Sequence, residues 1–182
     1  MPDEFLPLDP PRGEAATAAL RAALDQFTFA RHYTRTLLDA TPMDLWFQIP
    51  AGFPANVAWQ VGHMTVASYG LLLFRIRGRQ PEDLELIPGK FRKAYGKGSH
   101  AAEDPSGQPD PATLLEKLER VWEIARRELP ALSADILAEP IDPPFAAYAT
   151  KLGGILFCPL HEHTHAGQIG MLRRGLGLDP VR

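Results

Sequence analysis

Near its C-terminus the chain reads Leu160-His161-Glu162-His163-Thr164-His165-Ala166-Gly167-Gln168-Ile169-Gly170-Met171-Leu172-Arg173-Arg174. This stretch holds three of the six histidines within five positions, and Gly175 and Gly177 behind it predict the end of a helix. On a helix, His161 and His165 lie one turn apart on the same face. Their ring nitrogens can therefore bind one metal ion beside the helix, while His163 points away from that ion.

The same letters match H-E-x-x-H, the signature of zinc proteases. That class needs a third ligand further along the chain, for example in the extension x-x-G-x-x-H. Gln168 stands at the glycine of this extension and Met171 at its histidine, and the one acid that remains is Asp179. We therefore disfavour a protease, because the motif lacks its context.

A third histidine lies upstream in an apolar segment, Asn56-Val57-Ala58-Trp59-Gln60-Val61-Gly62-His63-Met64. Asn56 is a good N-cap, and the helix that it begins is predicted to run to about Arg77, where Gly78 ends it. One stripe of this helix is predicted to face the interior: Trp59, His63, Val66, Ala67, Gly70 and Phe74. A lone inward histidine usually forms a hydrogen bond in the core, but two more histidines at ligand spacing favour metal binding at His63.

These segments resemble the DinB-like superfamily. The resemblance rests on x-x-G-H in the second helix and on H-E-x-x-H-x-G-Q-I before L-R-R-x-L-G in the last, and it covers most of the chain. It implies a four-helix bundle with a divalent metal site formed by three histidines, and His63, His161 and His165 match its ligand positions. It also implies a homodimer, and a relation to S-transferases that use low-molecular-weight thiols and to isomerases.

Length and composition restrict the possible classes of protein. We predict a single domain spanning 1–182, soluble and globular, with 45% hydrophobic and 23% charged residues. A net charge of −3 gives no reason to expect nucleic acid or an anionic membrane as a partner. The single Cys158 rules out an internal disulfide and fits a cytoplasmic location. We predict neither a signal peptide nor a membrane span.

Apolar side chains at three- and four-residue steps predict further helices in the chain. The four predicted helices span 14–41, 56–77, 110–130 and 150–174. Because no strand alternation stands out, the predicted fold class is all-α, a four-helix bundle with long crossover connections. Residues 1–13 contain four prolines and are predicted to form an extended N-terminal arm.

The connection 78–110 combines basic residues with acids such as Asp83. We predict a solvated connection between helices, with an exposed His100 and a basic phosphate-binding loop as the weaker alternative. Such a long connection is often functional, and this one could cover one mouth of the bundle or contribute to a dimer contact.

The fourth helix contains residues that are unusual in helices. Pro159 predicts either a bend two residues before His161 or a late start of the helix. Gly153 and Gly154 predict close helix packing rather than a phosphate-binding loop, since the strand that such a loop needs is missing.

Several polar residues near the histidines have more than one interpretation. Glu162 could bond a ligand histidine or act as a base, but we favour a lateral or surface position. Gln168 could orient a ligand or pack between helices, and His163 is predicted to face another helix or water. His32 is predicted to be exposed, and Cys158 to be a buried small apolar residue.

Three neutral imidazoles suit Zn²⁺ best, with Ni²⁺ and Fe²⁺ as alternatives, and leave one coordination position open. From the resemblance, the first hypothesis is activation of a thiol that reacts with a small-molecule substrate, and hydrolysis by activated water is the second. A non-catalytic, metal-stabilised small-molecule-binding or stress-response protein is the alternative outside the enzymes. A dimeric structural module, in which the histidines form only core hydrogen bonds, is a third class.

Overall fold

The computed structural model describes residues 8–142 and 146–181, and these residues form helices and connections without a β-strand. The all-α prediction is confirmed for this part of the chain. The first seven residues of the predicted arm lie outside the described residues, as do residues 143–145 of the connection 131–149. The backbone amide of Leu8 donates a hydrogen bond to the carbonyl of Ala147.

The helices are α1 Glu14–Asp39, α2 Val57–Tyr69, α3 Arg75–Arg77, α4 Asp83–Leu86, α5 Gly89–Tyr95, α6 Pro111–Glu128, α7 Ala134–Ala138 and α8 Lys151–Gly175. A π-helical turn, Gly70–Phe74, joins α2 to α3, so that helix continues from Val57 to Arg77. None of the helices in the described part of the chain combines the length and the hydropathy that a membrane crossing requires.

Side chains at three of the predicted helix starts cap the long helices, and the cap predicted at Asn56 is confirmed. The side chains of Asn56, Asp110 and Thr150 accept hydrogen bonds from the backbone amides of the third residue beyond each of them. Gly78 follows α3 with a φ of 75°, a conformation that favours glycine and ends the helix. The predicted bounds of all four long helices are therefore confirmed to within a few residues.

The core lies between the four long helical segments. The first helix packs along α8, and α2 packs against both α6 and α8. The apolar stripes of α1 and α6 are buried as predicted, and Phe27 of α1 meets Trp122 of α6 with 4.5 Å between ring centroids. This packing places α2 beside α8. Although 97 residues lie between His63 and His161 in the sequence, their rings are neighbours in space. A four-helix bundle and a single domain stay predictions.

The inward stripe predicted for α2 is wrong. The fully buried residues of this helix lie on other faces, and they are Val57, Ala58, Gln60, Val61, Gly62, Met64, Thr65, Ser68 and Tyr69. His63 is half-buried and Phe74 is 45% exposed. Because the helix is apolar around most of its circumference, spacing alone does not identify its core-facing side. The predicted stripe is in fact the face that borders open clefts.

The connection 78–110 is more ordered than predicted. It contains α4 and α5 and buries Ile87, Phe91 and Tyr95. Asp83, which we expected in water, is only 2% exposed and accepts hydrogen bonds from Arg77 and from the Tyr69 hydroxyl. This connection therefore packs against α2 through a buried ion pair and aromatic side chains.

The structure also decides the questions raised by α8. The helix starts at Lys151, so Pro159 lies inside it and a late start is excluded. A Cβ atom on Gly153 would lie 2.0 Å from the carbonyl oxygen of Tyr148, so this glycine is closely packed, but the helix packing predicted for it is wrong. The close neighbour is the preceding connection and not another helix.

Candidate metal centre

The three predicted ligands meet in space, with His63 on α2 and His161 and His165 on α8. The ring centroid of His63 lies 5.3 Å from that of His161 and 4.8 Å from that of His165. The Nε2 atoms of His161 and His165 are 3.1 Å apart, and one nitrogen from each ring lies within 4.8 Å of the others. The predicted meeting of the three rings is confirmed, and metal binding stays a prediction.

A backbone carbonyl and an indole ring orient His63. Its Nδ1 lies 2.9 Å from the carbonyl oxygen of Tyr95, which can only accept, so Nδ1 carries the proton. The ring stacks on Trp59 at 4.8 Å with an interplanar angle of 9°. The indole nitrogen of Trp59 in turn donates to the Ser99 hydroxyl. These contacts leave Nε2 of His63 without a proton.

The side chain of Gln60 orients His165 in a similar way. Nδ1 of His165 donates to the amide oxygen of Gln60 over 2.5 Å, and both residues are buried. Since Nδ1 holds the proton, Nε2 of His165 also offers a lone pair. Histidines that bind metals typically donate their other N–H group to such an acceptor.

The donor set fits a divalent ion. Two nitrogens that each lie about 2.05 Å from a tetrahedral zinc ion are about 3.3 Å apart, close to the distance between His161 and His165. The nitrogens of the three rings lie within 4.8 Å of one another, so tetrahedral binding requires the most widely separated pair to approach by up to about 1.5 Å. Two of the three rings already present unprotonated Nε2 atoms, as zinc, nickel and iron require.

Burial keeps the three imidazoles neutral. Loss of solvent, together with the neighbouring histidines, lowers the pKa of His161 to about 4 and that of His165 to about 3. Burial also lowers the pKa of His63, against an opposing effect of the Tyr95 carbonyl. At neutral pH the site therefore needs no proton release from these rings before it can bind a cation.

The surface position favoured for Glu162 is wrong. This residue is 1% exposed, and its carboxylate accepts two hydrogen bonds from Arg31 of α1 at 2.8 and 3.3 Å. Arg31 also donates to the carbonyl of Leu118 on α6. Because Glu162 follows His161 on the helix, it points towards α1 while the histidine points towards α2. Its charge is used in a buried ion pair.

Other predictions near the site have clear outcomes. His32 and His100 are exposed as predicted, and Cys158 is buried, where loss of solvent raises the pKa of its thiol. His163 faces α1 and contacts the rings of Phe29 and Tyr33. Gln168 is exposed beside His165 and raises the pKa of that histidine through a hydrogen bond, so it does not pack between helices.

Two clefts open onto the histidines from different sides. The first cleft, of about 690 Å³, is lined by His63 and His161 together with Val66, Phe74 and Phe157. The second cleft, of about 590 Å³, is lined by His165 with Gln60 and Trp59, among other residues. Both have the size of small-molecule sites.

Sequence reasoning missed Gln60, Arg31 and the carbonyl of Tyr95. A signal existed for Gln60, because it is a polar side chain in a mostly apolar helix, one turn before His63. Arg31 lies within the apolar pattern of α1, and nothing in the sequence around it indicates that Glu162 is its partner. No side-chain pattern could identify a backbone carbonyl as a partner of His63.

Comparison with known proteins agrees with this geometry. A search of curated proteins finds no relative of the chain. A protein-family model described as the DinB superfamily matches residues 26–169, most of the chain, and this range includes all three histidines. The chain therefore belongs to the DinB superfamily.

Proposed function

We propose that this protein is a metal-dependent enzyme in which His63, His161 and His165 bind one divalent ion, with Zn²⁺ preferred over Ni²⁺ and Fe²⁺. The proposed reaction is S-transfer, in which a low-molecular-weight thiol attacks a small-molecule substrate. The observation that carries the proposal is the convergence of three neutral rings, two of them held by hydrogen bonds that leave Nε2 free. We further propose that α1, α2 with α3, α6 and α8 form a four-helix bundle that holds this site.

A divalent ion held by three imidazoles would supply an electrophilic centre that lowers the pKa of a thiol or a water molecule in the open position. The surrounding residues favour the thiol. Hydrolysis usually needs a carboxylate or histidine base near the water, but neither cleft is lined by an Asp or Glu among the described residues, and His100, which lines the second cleft, is an exposed residue of the connection 78–110. Glu162, the nearest acid in sequence, is held by Arg31. A thiol needs less help, because its ordinary pKa of about 8.5 is already close to neutral.

The chain's own residues would bind and shield the reacting groups. Val66, Phe74 and Phe157 give the first cleft an apolar wall, which favours organic substrates and excludes water. Trp59 stacks on His63 and restricts rotation of that ring. The two clefts reach the histidines from different sides, which would allow a thiol and its electrophile to approach separately.

The test starts with the untagged protein and its metal content. We expect about one divalent ion per chain, abolished by His63→Ala, His161→Ala or His165→Ala and retained in His163→Ala, whose ring faces α1. Less than about a tenth of an equivalent, with no binding on titration, would leave only a structural role for the histidines.

Turnover separates the enzyme from the alternative. A panel of small thiols and electrophiles should show metal-dependent consumption of thiol. If chelation lowers the melting temperature but no thiol is consumed, the non-catalytic, metal-stabilised binding protein is the better description.

A homodimer and a cytoplasmic location remain part of the proposal. The dimer is supported by exposed apolar side chains on adjoining helices, since Phe29 of α1 is 65% exposed and Leu160 of α8 is 63% exposed. Sedimentation of the wild type against Phe29→Glu checks it, and a wild-type monomer at micromolar concentration would contradict it.

A further inference from the structure

Four cationic side chains line the first cleft, one from α3 and three from the connection 78–110. Arg75 lies on α3 and Arg79 follows it, while Arg92 lies on α5 and Lys97 follows that helix. All four line the cleft that contains His63 and His161. The connection 78–110 therefore contributes three of the cations next to the histidines.

These four cations have no carboxylate partner within the described chain. Arg75 bonds only the carbonyl of Gly70, and Arg79 contacts the hydroxyl of Tyr69. Five other arginines are paired with acids: Arg31–Glu162, Arg35–Asp39, Arg77–Asp83, Arg120–Glu123 and Arg127–Glu128. Unpaired arginines also occur outside the cleft in the described part of the chain, such as Arg21 and Arg126 at exposed helix positions. The first cleft differs from those positions because four unpaired cations line one concave surface.

Like charges around one concave site repel each other, although water and salt screen the repulsion at the exposed side chains of Arg79, Arg92 and Lys97. No acid lines the cleft among the described residues, so the repulsion is not relieved within the chain. An anionic ligand would relieve it, and a guanidinium group matches a carboxylate or a phosphate in shape and in hydrogen-bond donors.

We propose that the substrate, or the thiol, that enters the first cleft is an amphipathic organic anion. Its carboxylate or phosphate would bind among Arg75, Arg79, Arg92 and Lys97, and its apolar part would lie against Phe74 and Phe157. Its reactive end would then face His63 and His161. The position of that reactive end rests on the proposed function, whereas the preference for an anion rests on the cleft alone.

The experiment compares three probes of equal chain length, namely 6-mercaptohexanoate, 6-mercaptohexyl phosphate and 6-mercapto-1-hexanol. Calorimetry on metal-loaded and metal-free protein should show at least one anion binding about tenfold more tightly than the alcohol in both states. The carboxylate and phosphate probes show which head group the cleft prefers. Since a head group could also bind the metal ion, the metal-free protein assigns the preference to the cleft.

Matched charge variants complete the test. Arg79→Gln with Arg92→Gln should remove most of the preference, and raised salt should weaken it. Arg21→Gln with Arg126→Gln removes the same charge from exposed helix positions outside the cleft and should leave the preference intact. Equal affinities for all probes, or no measurable binding of any of them, would overturn the inference. Failure to bind metal, with the preference for anions intact, would overturn only the proposed function.

Discussion

Gln60 holds the imidazole of His165 in the orientation that frees its Nε2 atom. Its amide oxygen accepts the Nδ1 proton over 2.5 Å inside the core. Gln60→Leu keeps the size of the side chain but removes the acceptor, so the ring can turn or change tautomer. We expect metal affinity to fall about 10- to 100-fold, measured by competition with a chromogenic chelator.

Two comparison variants make this prediction specific. Gln60→Glu retains an acceptor oxygen and should keep affinity nearer to that of the wild type. Gln26→Leu alters an exposed glutamine of α1 and should change nothing. Unchanged affinity in Gln60→Leu would mean that the ring is held by packing alone.

The low pKa values of the histidines predict how stability depends on pH. In the folded, metal-free chain the pKa of His161 is about 4 and that of His165 about 3, against an ordinary value of 6.5. Below pH 6.5 the unfolded chain therefore binds protons that the folded chain does not, and the free energy of unfolding falls as the pH is lowered towards 4. Denaturant titrations of the metal-free protein between pH 7 and 4 measure this slope.

Asp and Glu side chains titrate in part of the same pH range. The test therefore compares how steeply the free energy of unfolding depends on pH in the wild type and in two variants. His165→Gln removes one of the two groups and should flatten the dependence between pH 6.5 and 4. The exposed His32→Gln should leave it as in the wild type. Parallel slopes for all three proteins would show that the buried rings do not resist protonation.

At the scale of single residues, the sequence predicted which three histidines meet but not the groups that orient them. Histidine spacing on one helix is a direct consequence of helical geometry, so His161 and His165 could be paired without coordinates. Gln60 reaches His165 from the neighbouring helix α2, and Tyr95 contacts His63 through its backbone carbonyl. Their roles depend on tertiary packing, which residue spacing does not encode.

The packing of α2 depends on a residue without a side chain, Gly62. A Cβ atom on Gly62 would lie 2.3 Å from Cδ1 of Tyr95, whose ring is buried and whose hydroxyl donates to Gln108. Gly62→Ala would push Tyr95 and the connection 78–110 away from α2. We expect a loss of about 1–3 kcal/mol in the free energy of unfolding.

The same change should also affect metal binding, because the Tyr95 carbonyl orients His63. Affinity should fall about tenfold in Gly62→Ala. Gly170→Ala in α8 is the matched control, since its Cβ meets nothing within 4 Å, and it should raise stability by up to about 1 kcal/mol. Equal stability of the two variants would contradict the close contact between α2 and Tyr95.

Helix ends were easier to predict than helix faces. Asn56, Asp110 and Thr150 are caps whose role follows from local chemistry, and each was placed correctly. The face of α2 was placed wrongly because almost every side chain of that helix is apolar. For such a helix the buried side is chosen by its neighbours, here α6, α8 and the connection 78–110.

For the whole molecule, the all-helical class follows from the periodicity of the sequence, whereas the contacts between distant helices do not. The pairing of Arg31 with Glu162 joins residues 131 positions apart. Each of the two is a charged residue on a helix and would ordinarily be assigned to the surface. Only the packing of α1 along α8 makes them partners and removes them from water.

The ion pair between Arg31 and Glu162 connects three long helices, since Arg31 also bonds the carbonyl of Leu118 on α6. Glu162→Gln would leave a buried guanidinium without its counter-charge, and we expect a loss of about 3–5 kcal/mol in the free energy of unfolding. Glu123→Gln breaks the exposed pair with Arg120 and should cost less than about 1 kcal/mol. Arg31→Met combined with Glu162→Leu removes both charges and should be more stable than Glu162→Gln alone, because no charge is then buried unpaired. If Glu162→Gln instead unfolds at the same denaturant concentration as the wild type, the ion pair does not hold α1, α6 and α8 together.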